Sequence, residues 1–209
     1  MIIAVDGPAA SGKGTIARAL AAHYGLPHLD TGLLYRAVAL TLGRAGGDPD
    51  SEADALAATG FADGLLADPE LREEATGSLA SRVSAHGAVR AALKARQQAF
   101  AAQAGGAVLD GRDIGTVIVP DADAKLYVTA SPEVRAERRA REMEGHGLTA
   151  DRAAMIAEIV ARDARDMGRD NAPLRQAADA DLLDTSDLGI AAAVQQAISL
   201  VDARVARHR

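Results

Sequence analysis

An open α/β sheet, mainly parallel and flanked by helices on both faces, is the architecture predicted by this 209-residue sequence. Short apolar runs rich in β-branched residues alternate with amphipathic segments of helical period. A glycine-rich turn joins the first such run to the first helix. The chain is 48% hydrophobic and 25% charged, with near-zero mean hydropathy. That is the profile of one globular domain, with a core built from Ala, Leu, Val and Ile because aromatics are only 2%.

Met1 to Asp6 (MIIAVD) reads as a buried parallel strand. The helix after the glycine turn, Thr15 to Tyr24, places Ile16, Ala19, Leu20 and His23 on one face. Pro27 to Leu29 is a second strand, and Thr31 is placed to cap a helix carrying Leu34, Val38 and Leu42. Gly46 to Ala80, alanine-rich and punctuated by glycine, predicts short helices and turns. A stronger helix follows from Ala88 to Ala104 on Val89, Leu93 and Phe100. Ala107 to Asp110 and Ala124 to Thr129 are the third and fourth strands. Ser131 then caps a helix with Pro132 in its first turn.

The polar stretch Glu142 to Ala150 reads as a mobile connection. Asp151 to Met167 is a helix with Met155, Ile156, Ile159 and Val160 apolar. Asp181 to Asp184 is the fifth strand. In the terminal helix Ile190, Val194, Ile198, Val201 and Val205 recur at steps of three and four, a stripe for core packing.

Composition excludes several classes. With no cysteine, there are no disulfides, zinc fingers or thiol catalysis. Asp6 and Gly7 interrupt the first apolar run, so no secretory leader is expected. No stretch approaches the roughly 18–20 apolar residues of a membrane span. A cytoplasmic protein without a membrane partner is the expectation, and a monomer, because no coiled-coil seam is visible. A formal charge of −6 argues against nucleic acid as a partner. Yet arginines cluster at Arg135, Arg138, Arg139 and Arg141 and again at Arg162, Arg165 and Arg169. Such clusters suit either a small anionic ligand or a solvated helix face.

The strand ending at Asp6 runs directly into Gly7, Pro8, Ala9, Ala10, Ser11, Gly12, Lys13, Gly14 and Thr15 (GPAASGKGT), and a helix follows. This is the context of a phosphate-binding loop. Its glycines let main-chain amides approach phosphates, and those amides form an anion nest with the positive end of the helix. Lys13 adds a point charge able to follow a transferring phosphoryl group. ATP binding for phosphoryl transfer, with Mg²⁺ as cofactor, is the expectation, on a P-loop NTPase fold with a five-stranded sheet. Gly14 stands where Ser or Thr usually follows the lysine. The metal ligand is therefore unassigned, with Thr15 as a candidate, directly or through water.

Beyond the loop, LDTGLLYRAVAL (29–40), VLDGRDIGTVIVPDADAKLYV (108–128) and RDARDMGRDNAPL (162–174) occur in order. With VDGPAASGKGT, these blocks resemble those of bacterial cytidylate kinases across nearly the whole chain. The resemblance implies transfer of the γ-phosphoryl group of ATP to CMP or dCMP. It implies Thr31, Tyr35 and Arg36 beside the acceptor nucleotide, Arg36 on its phosphate. It further implies Ser81, Arg90 and Asp113 reading the cytosine and Arg112 near the acceptor phosphate. By the same resemblance Arg162 and Asp166 would address the sugar, with Arg169 near the phosphates. Lys13, Arg112 and Arg162 are the implied catalytic cations.

The chemistry suits these residues. The attacking phosphate oxygen is already deprotonated, so no general base is needed, and catalysis is positioning plus cations. A carboxylate such as Asp113 accepts from the cytosine amino group and repels the uracil carbonyl. A loop salt bridge from Asp113 to Arg112 is the alternative. For Arg162, Asp166 and Arg169 the alternative is an exposed helix with charge pairs at helical spacing.

Many Gram-negative members of that family carry a β-rich insert where Gly46 to Ala80 is short and lacks strand alternation. The expected organisation is one kinase domain over 1–209, with its core at about 1–45, 88–141 and 168–209. A reduced acceptor-binding insert is expected at about 46–87 and a lid at about 142–167. A kinase for another nucleoside monophosphate or a small metabolite is the competing reading. A GTPase-type switch is disfavoured because no N-K-x-D motif is present.

Overall fold

A computed structural model describes residues 1–145 and 147–207. The connection predicted over 142–150 thus includes one residue, His146, outside the described residues, as are 208 and 209. Five strands form one sheet: Ile2–Asp6 (β1), His28–Asp30 (β2), Ala107–Gly111 (β3), Ala124–Thr129 (β4) and Asp181–Asp184 (β5). Their order is β2-β3-β1-β4-β5. β1 is central and parallel to both neighbours, with Asp6 opposite Gly111 on one side and Tyr127 on the other. β4 and β5 are also parallel. With β1 flanked by β3 and β4, the chain reverses its winding direction beside β1. The carboxyl ends of strands at such a point are where α/β folds place ligands.

Eight helices accompany the strands among the described residues: Lys13–Tyr24 (α1), Thr31–Arg44 (α2), Glu52–Ala57 (α3), Glu74–Val83 (α4), Gly87–Ala101 (α5), Pro132–Gly145 (α6), Arg152–Met167 (α7) and Ile190–Arg207 (α8). Short 3₁₀ turns join α3 to α4, as the glycine-punctuated sequence predicts. Contacts cluster into two units: 1–28 with 103–209, and 29–102. The second unit begins and ends outside the 46–87 expected for the insert. In the first unit Ile3, Val5, Leu20, Val108, Leu126, Val128, Leu183 and Val201 form the core under α1 and α8. Ala136, Ala140, Met155 and Ile159 pack α6 onto α7. In the second unit Leu34, Val38, Leu42, Leu71, Val83, Val89 and Leu93 form a separate core.

Several local expectations need correction. Asp30, not Thr31, caps α2: its carboxylate accepts the Gly32 amide at 3.0 Å, and Thr31 is already helical. On α1 the buried residues are Ile16, Ala17, Leu20 and Ala21, while His23 is exposed. The helix starts two residues earlier than predicted and buries the adjacent stripe. Val160 is 48% and Ile190 73% exposed, so neither joins the apolar face assigned to it. Ile190 opens α8, ahead of Ala193, its first buried residue. α6 continues to Gly145, into the segment read as a connection. There Glu137 takes both Arg141, at 2.9 Å, and Arg152, at 2.7 Å. The Ser131 cap holds, its hydroxyl accepting the Val134 amide at 3.3 Å.

Candidate active site

In the first unit the glycine loop takes the conformation its sequence demands. A Cβ on Gly7, at φ +154°, would lie 2.0 Å from the Val128 carbonyl oxygen of β4, so only glycine lets β1 turn there. Gly12, at φ +89°, is the N-cap of α1, and its carbonyl accepts the Thr15 and Ile16 amides, each at 3.1 Å. The first amides of α1 thus open beside the loop, the arrangement that receives anions at helix N-termini. The Lys13 amine donates to the Pro8 carbonyl at 3.3 Å. Ser11 is fully buried, and its hydroxyl has no hydrogen-bond partner among the described residues.

The first arginine cluster is neither a plain solvated face nor, in its inner members, simply exposed cation. Arg135 is buried; it donates to the Ala130 carbonyl at 2.9 Å, to the Ala9 carbonyl at 3.1 Å and to Asp163 of α7 at 3.1 Å. Arg138 donates to the Ser11 carbonyl at 3.4 Å and to the Thr185 carbonyl at 2.6 Å. The Thr185 hydroxyl also donates to Ser11, at 3.2 Å. Two arginines and a threonine therefore hold the loop by its carbonyls. The sequence signal was the cluster itself; which members would turn inward is not encoded in spacing. Arg139 lies 3.8 Å from Glu158, and Arg141 is exposed.

Asp6, 5% exposed, accepts the Ile114 amide at 2.8 Å and the Gly115 amide at 2.7 Å. These amides open a turn of π-helix, Ile114–Ile118, directly after Arg112 and Asp113. Burial pushes the Asp6 carboxyl up to about 7, the two amides oppose that, Asp113 adds to it and Lys13 lowers it. Asp110, at the end of β3, meets His28 at 2.7 Å. Its other oxygen lies 3.7 Å from where a Cβ on Gly14 would sit. Asp6, Asp110 and His28 lie in or beside the quoted motifs, but their roles depend on strand order, which the motifs do not state.

Asp166 is 0% exposed and bonded by Arg112 and Arg169. Burial alone would raise its carboxyl, but Arg112, Arg169 and Arg162 together hold it below the usual carboxylate range. The helical-spacing pair Asp166–Arg169 exists, yet it is buried rather than exposed. Asp113 is buried, and Arg112 turns its Nε to Asp166. So Arg112, Arg162, Asp166 and Arg169 are brought together.

The second unit holds the other predicted acceptor residues. Arg90 of α5 lies over the Tyr35 ring, 5.6 Å from its centroid, and donates to the Ser84 carbonyl at 3.4 Å. Ser84 in turn donates to the Ser81 carbonyl at 3.1 Å, which links Ser81, Tyr35 and Arg90. Arg36 donates to the carbonyls of Leu71 at 2.7 Å and Glu73 at 3.0 Å. It lies so close over Gly77 that a Cβ there would be 2.6 Å from its guanidinium. Thr31 is buried in the first turn of α2.

No group of three or more His, Cys, Asp or Glu able to hold a metal occurs among the described residues. Oxygen donors beside the loop are the exposed Thr15 hydroxyl, 3.4 Å from Arg18, and the Asp110 carboxylate. Such a donor set suits a hard cation that arrives with phosphate and keeps most of its water. No helix among the described residues is long and apolar enough to cross a membrane.

Known proteins resemble this chain over nearly its whole length. A solved structure titled as an uncharacterized protein from Eubacterium ventriosum shares the fold, with a TM-score of 0.56 at 15% identity, covering 97% of this chain and 98% of that one. The cytidylate kinase of Rhodopseudomonas palustris strain HaA2 is 55% identical, covering 100% of both chains. That of Xanthobacter autotrophicus is 60% identical over 98% of each, and that of a Methylobacterium strain 62% over 86% of each. The family model described as cytidylate kinase matches residues 3–203. On likeness of this extent, the chain belongs to the cytidylate kinase family.

Proposed function

We propose that the glycine loop and the arginines around Asp166 carry out the transfer of the γ-phosphoryl group of ATP to CMP or dCMP, giving ADP and CDP or dCDP. The observation that carries this reading is one unit holding both a helix-capped phosphate loop and three arginines gathered on a buried carboxylate. The two are what a reaction between two anions requires.

The loop amides of 7–15 and Lys13 bind the triphosphate, with Lys13 leaving the Pro8 carbonyl for the phosphoryl group being moved. Arg112, Arg162 and Arg169 neutralise the acceptor phosphate and the charge that spreads over the transferring group. Asp166 orients these arginines and accepts from the sugar. Asp113 reads the cytosine amino group. Ser81 and Arg90 read the cytosine, Arg36 contacts the acceptor phosphate, and Thr31 and Tyr35 lie beside the acceptor nucleotide. Thr15 and Asp110 would hold Mg²⁺, directly or through water, and the metal would supply charge neutralisation on the phosphates. Residues 46–87 act as the acceptor-binding insert and 142–167 as the lid, excluding water. The protein works as a cytoplasmic monomer in pyrimidine nucleotide metabolism, without nucleic acid or membrane as a partner.

A coupled ADP-release assay across CMP, dCMP, UMP, AMP and shikimate tests this. CMP and dCMP should be turned over far faster than the rest, and Lys13→Ala should abolish the signal. Equal rates with AMP, or full activity in the lysine variant, would overturn it.

A further inference from the structure

The carboxylate of Asp6 touches neither loop phosphates nor acceptor groups in the reading above, yet it costs burial energy to keep. It ends β1 opposite Gly111 of β3. The chain leaves β3 there, passes Arg112 and Asp113, and turns at once onto Asp6, with Ile114 at 2.8 Å and Gly115 at 2.7 Å. Behind the turn lies Lys125, whose amine is fixed by Asp179 at 2.7 Å and by the Pro120 carbonyl. A Cβ on Gly115 would meet the Lys125 Cδ at 3.1 Å and the Asp6 Oδ2 at 3.4 Å, so the turn is clamped from both sides.

We infer that Asp6 is a positioning residue for acceptor recognition: seated on the Ile114 and Gly115 amides, it fixes the turn that aims Arg112 and Asp113. This rests on those two residues contacting the acceptor, as proposed above. A strand end needs no buried carboxylate to stop, and two amides at the mouth of a short helix do: they lack partners within the turn. A carboxyl group that takes both, one amide on each oxygen, anchors the turn as a side-chain amide cannot. The same residue precedes Gly7, so the strand that launches the phosphate loop also sets the direction of the base-reading acid. Of the charged groups acting on Asp6, Asp113 from the turn opposes its charge and Lys13 from the loop favours it.

Steady-state kinetics of the full chain with CMP, UMP and ATP decide the matter, using Asp6→Asn, Gly115→Ala and Asp113→Ala. Asparagine presents an N–H to one of the two amides and cannot hold both. Asp6→Asn should raise KM for CMP about tenfold or more and narrow the CMP:UMP preference, while KM for ATP stays within about twofold. Gly115→Ala, which crowds the turn but leaves the carboxylate, should show the same split more weakly and decides the outcome if the first variant does not fold. Equal rises in both KM values, or an unchanged preference in both variants, would refute the inference. An unchanged preference in Asp113→Ala would instead bring down the reading on which it rests.

Discussion

Arg112, at the end of β3, gives its Nε to a carboxylate of α7, Asp166, that has no solvent-exposed surface. Two distant segments of the chain, both flagged by the sequence, therefore meet on one buried carboxylate. Arg169 bonds the same carboxylate and Arg162 acts on it electrostatically. If the acceptor binds these arginines as proposed, it enlists cations already gathered, which lowers the cost of ordering them.

Asp166→Asn should dissolve that arrangement. Removing one partner of a buried charge group leaves the others uncompensated and costs about 3–5 kcal/mol. The folded carboxyl is depressed from its ordinary value of 3.8, so its contribution is complete above that value and is lost as pH falls through the folded one. Thermal unfolding of the wild type and the variant should differ by a constant amount from neutrality down to the ordinary carboxylate value of 3.8 and converge only at lower pH, as the folded carboxyl takes up its proton. A gap that persisted at low pH would contradict this.

Asp6 should produce the opposite slope. Its folded carboxyl lies at about 7 against an ordinary 3.8, with burial as the main cause. Between those values the folded chain holds a proton that the unfolded chain releases, so stability falls as pH rises through the window, by up to about 1.4 kcal/mol per pH unit. Asp6→Asn cannot ionise. The difference in melting temperature between the two proteins should therefore shift steadily in favour of the variant from pH 4 to 7, measured without nucleotide.

These carboxylates also mark what the sequence could and could not convey. Apolar runs and their spacing sufficed for all five strands, because buried parallel strands are nearly continuous in composition. Motif order sufficed to nominate Lys13, Arg112 and Asp166. The partner of each was not legible. Arg112 meets Asp166, 54 residues away, a partner that motif order does not name. For Arg135 and Arg138 an anionic ligand and a solvated face stand as alternatives in the sequence, because helical spacing does not say which stripe faces a loop carbonyl. Asp30 took the cap from Thr31 because an Asx turn onto Gly32 starts the helix one residue sooner.

The Arg135–Asp163 pair should matter to ATP more than to the acceptor. Arg135 joins α6 and α7 to the Ala9 carbonyl of the loop, and its side chain is only 3% exposed. Arg135→Ala strands Asp163 and frees the loop carbonyl, for a loss of about 3–5 kcal/mol. KM for ATP should rise by roughly 10–100-fold, with KM for CMP at saturating ATP much less changed. A double-mutant cycle with Asp163→Asn should show coupling above about 0.5 kcal/mol, since the two groups share bonds. Additive losses would mean that the arginine acts on the loop alone.

Two glycines of the loop make a matched pair with opposite expectations. A methyl on Gly7 would collide with the Val128 carbonyl at 2.0 Å, and backbone cannot yield as a side-chain tip can. Gly7→Ala should therefore weaken the pairing of β1 with β4, lower the melting temperature without ligand, and abolish ATP binding as a consequence. Gly14 is different: it lies within α1, and its nearest neighbours to a methyl are an Arg18 nitrogen at 3.6 Å and an Asp110 oxygen at 3.7 Å, ordinary contacts. Alanine there removes backbone freedom from the unfolded chain and favours the helix by about 0.5–1 kcal/mol. Gly14→Ala should thus be as stable as the wild type or slightly more so. If the loop receives phosphate as proposed, the added methyl obstructs the ligand and not the protein, so ATP titration should show weakened binding in a chain with an undiminished melting temperature. Retention of full ATP affinity by this variant would place the phosphates elsewhere.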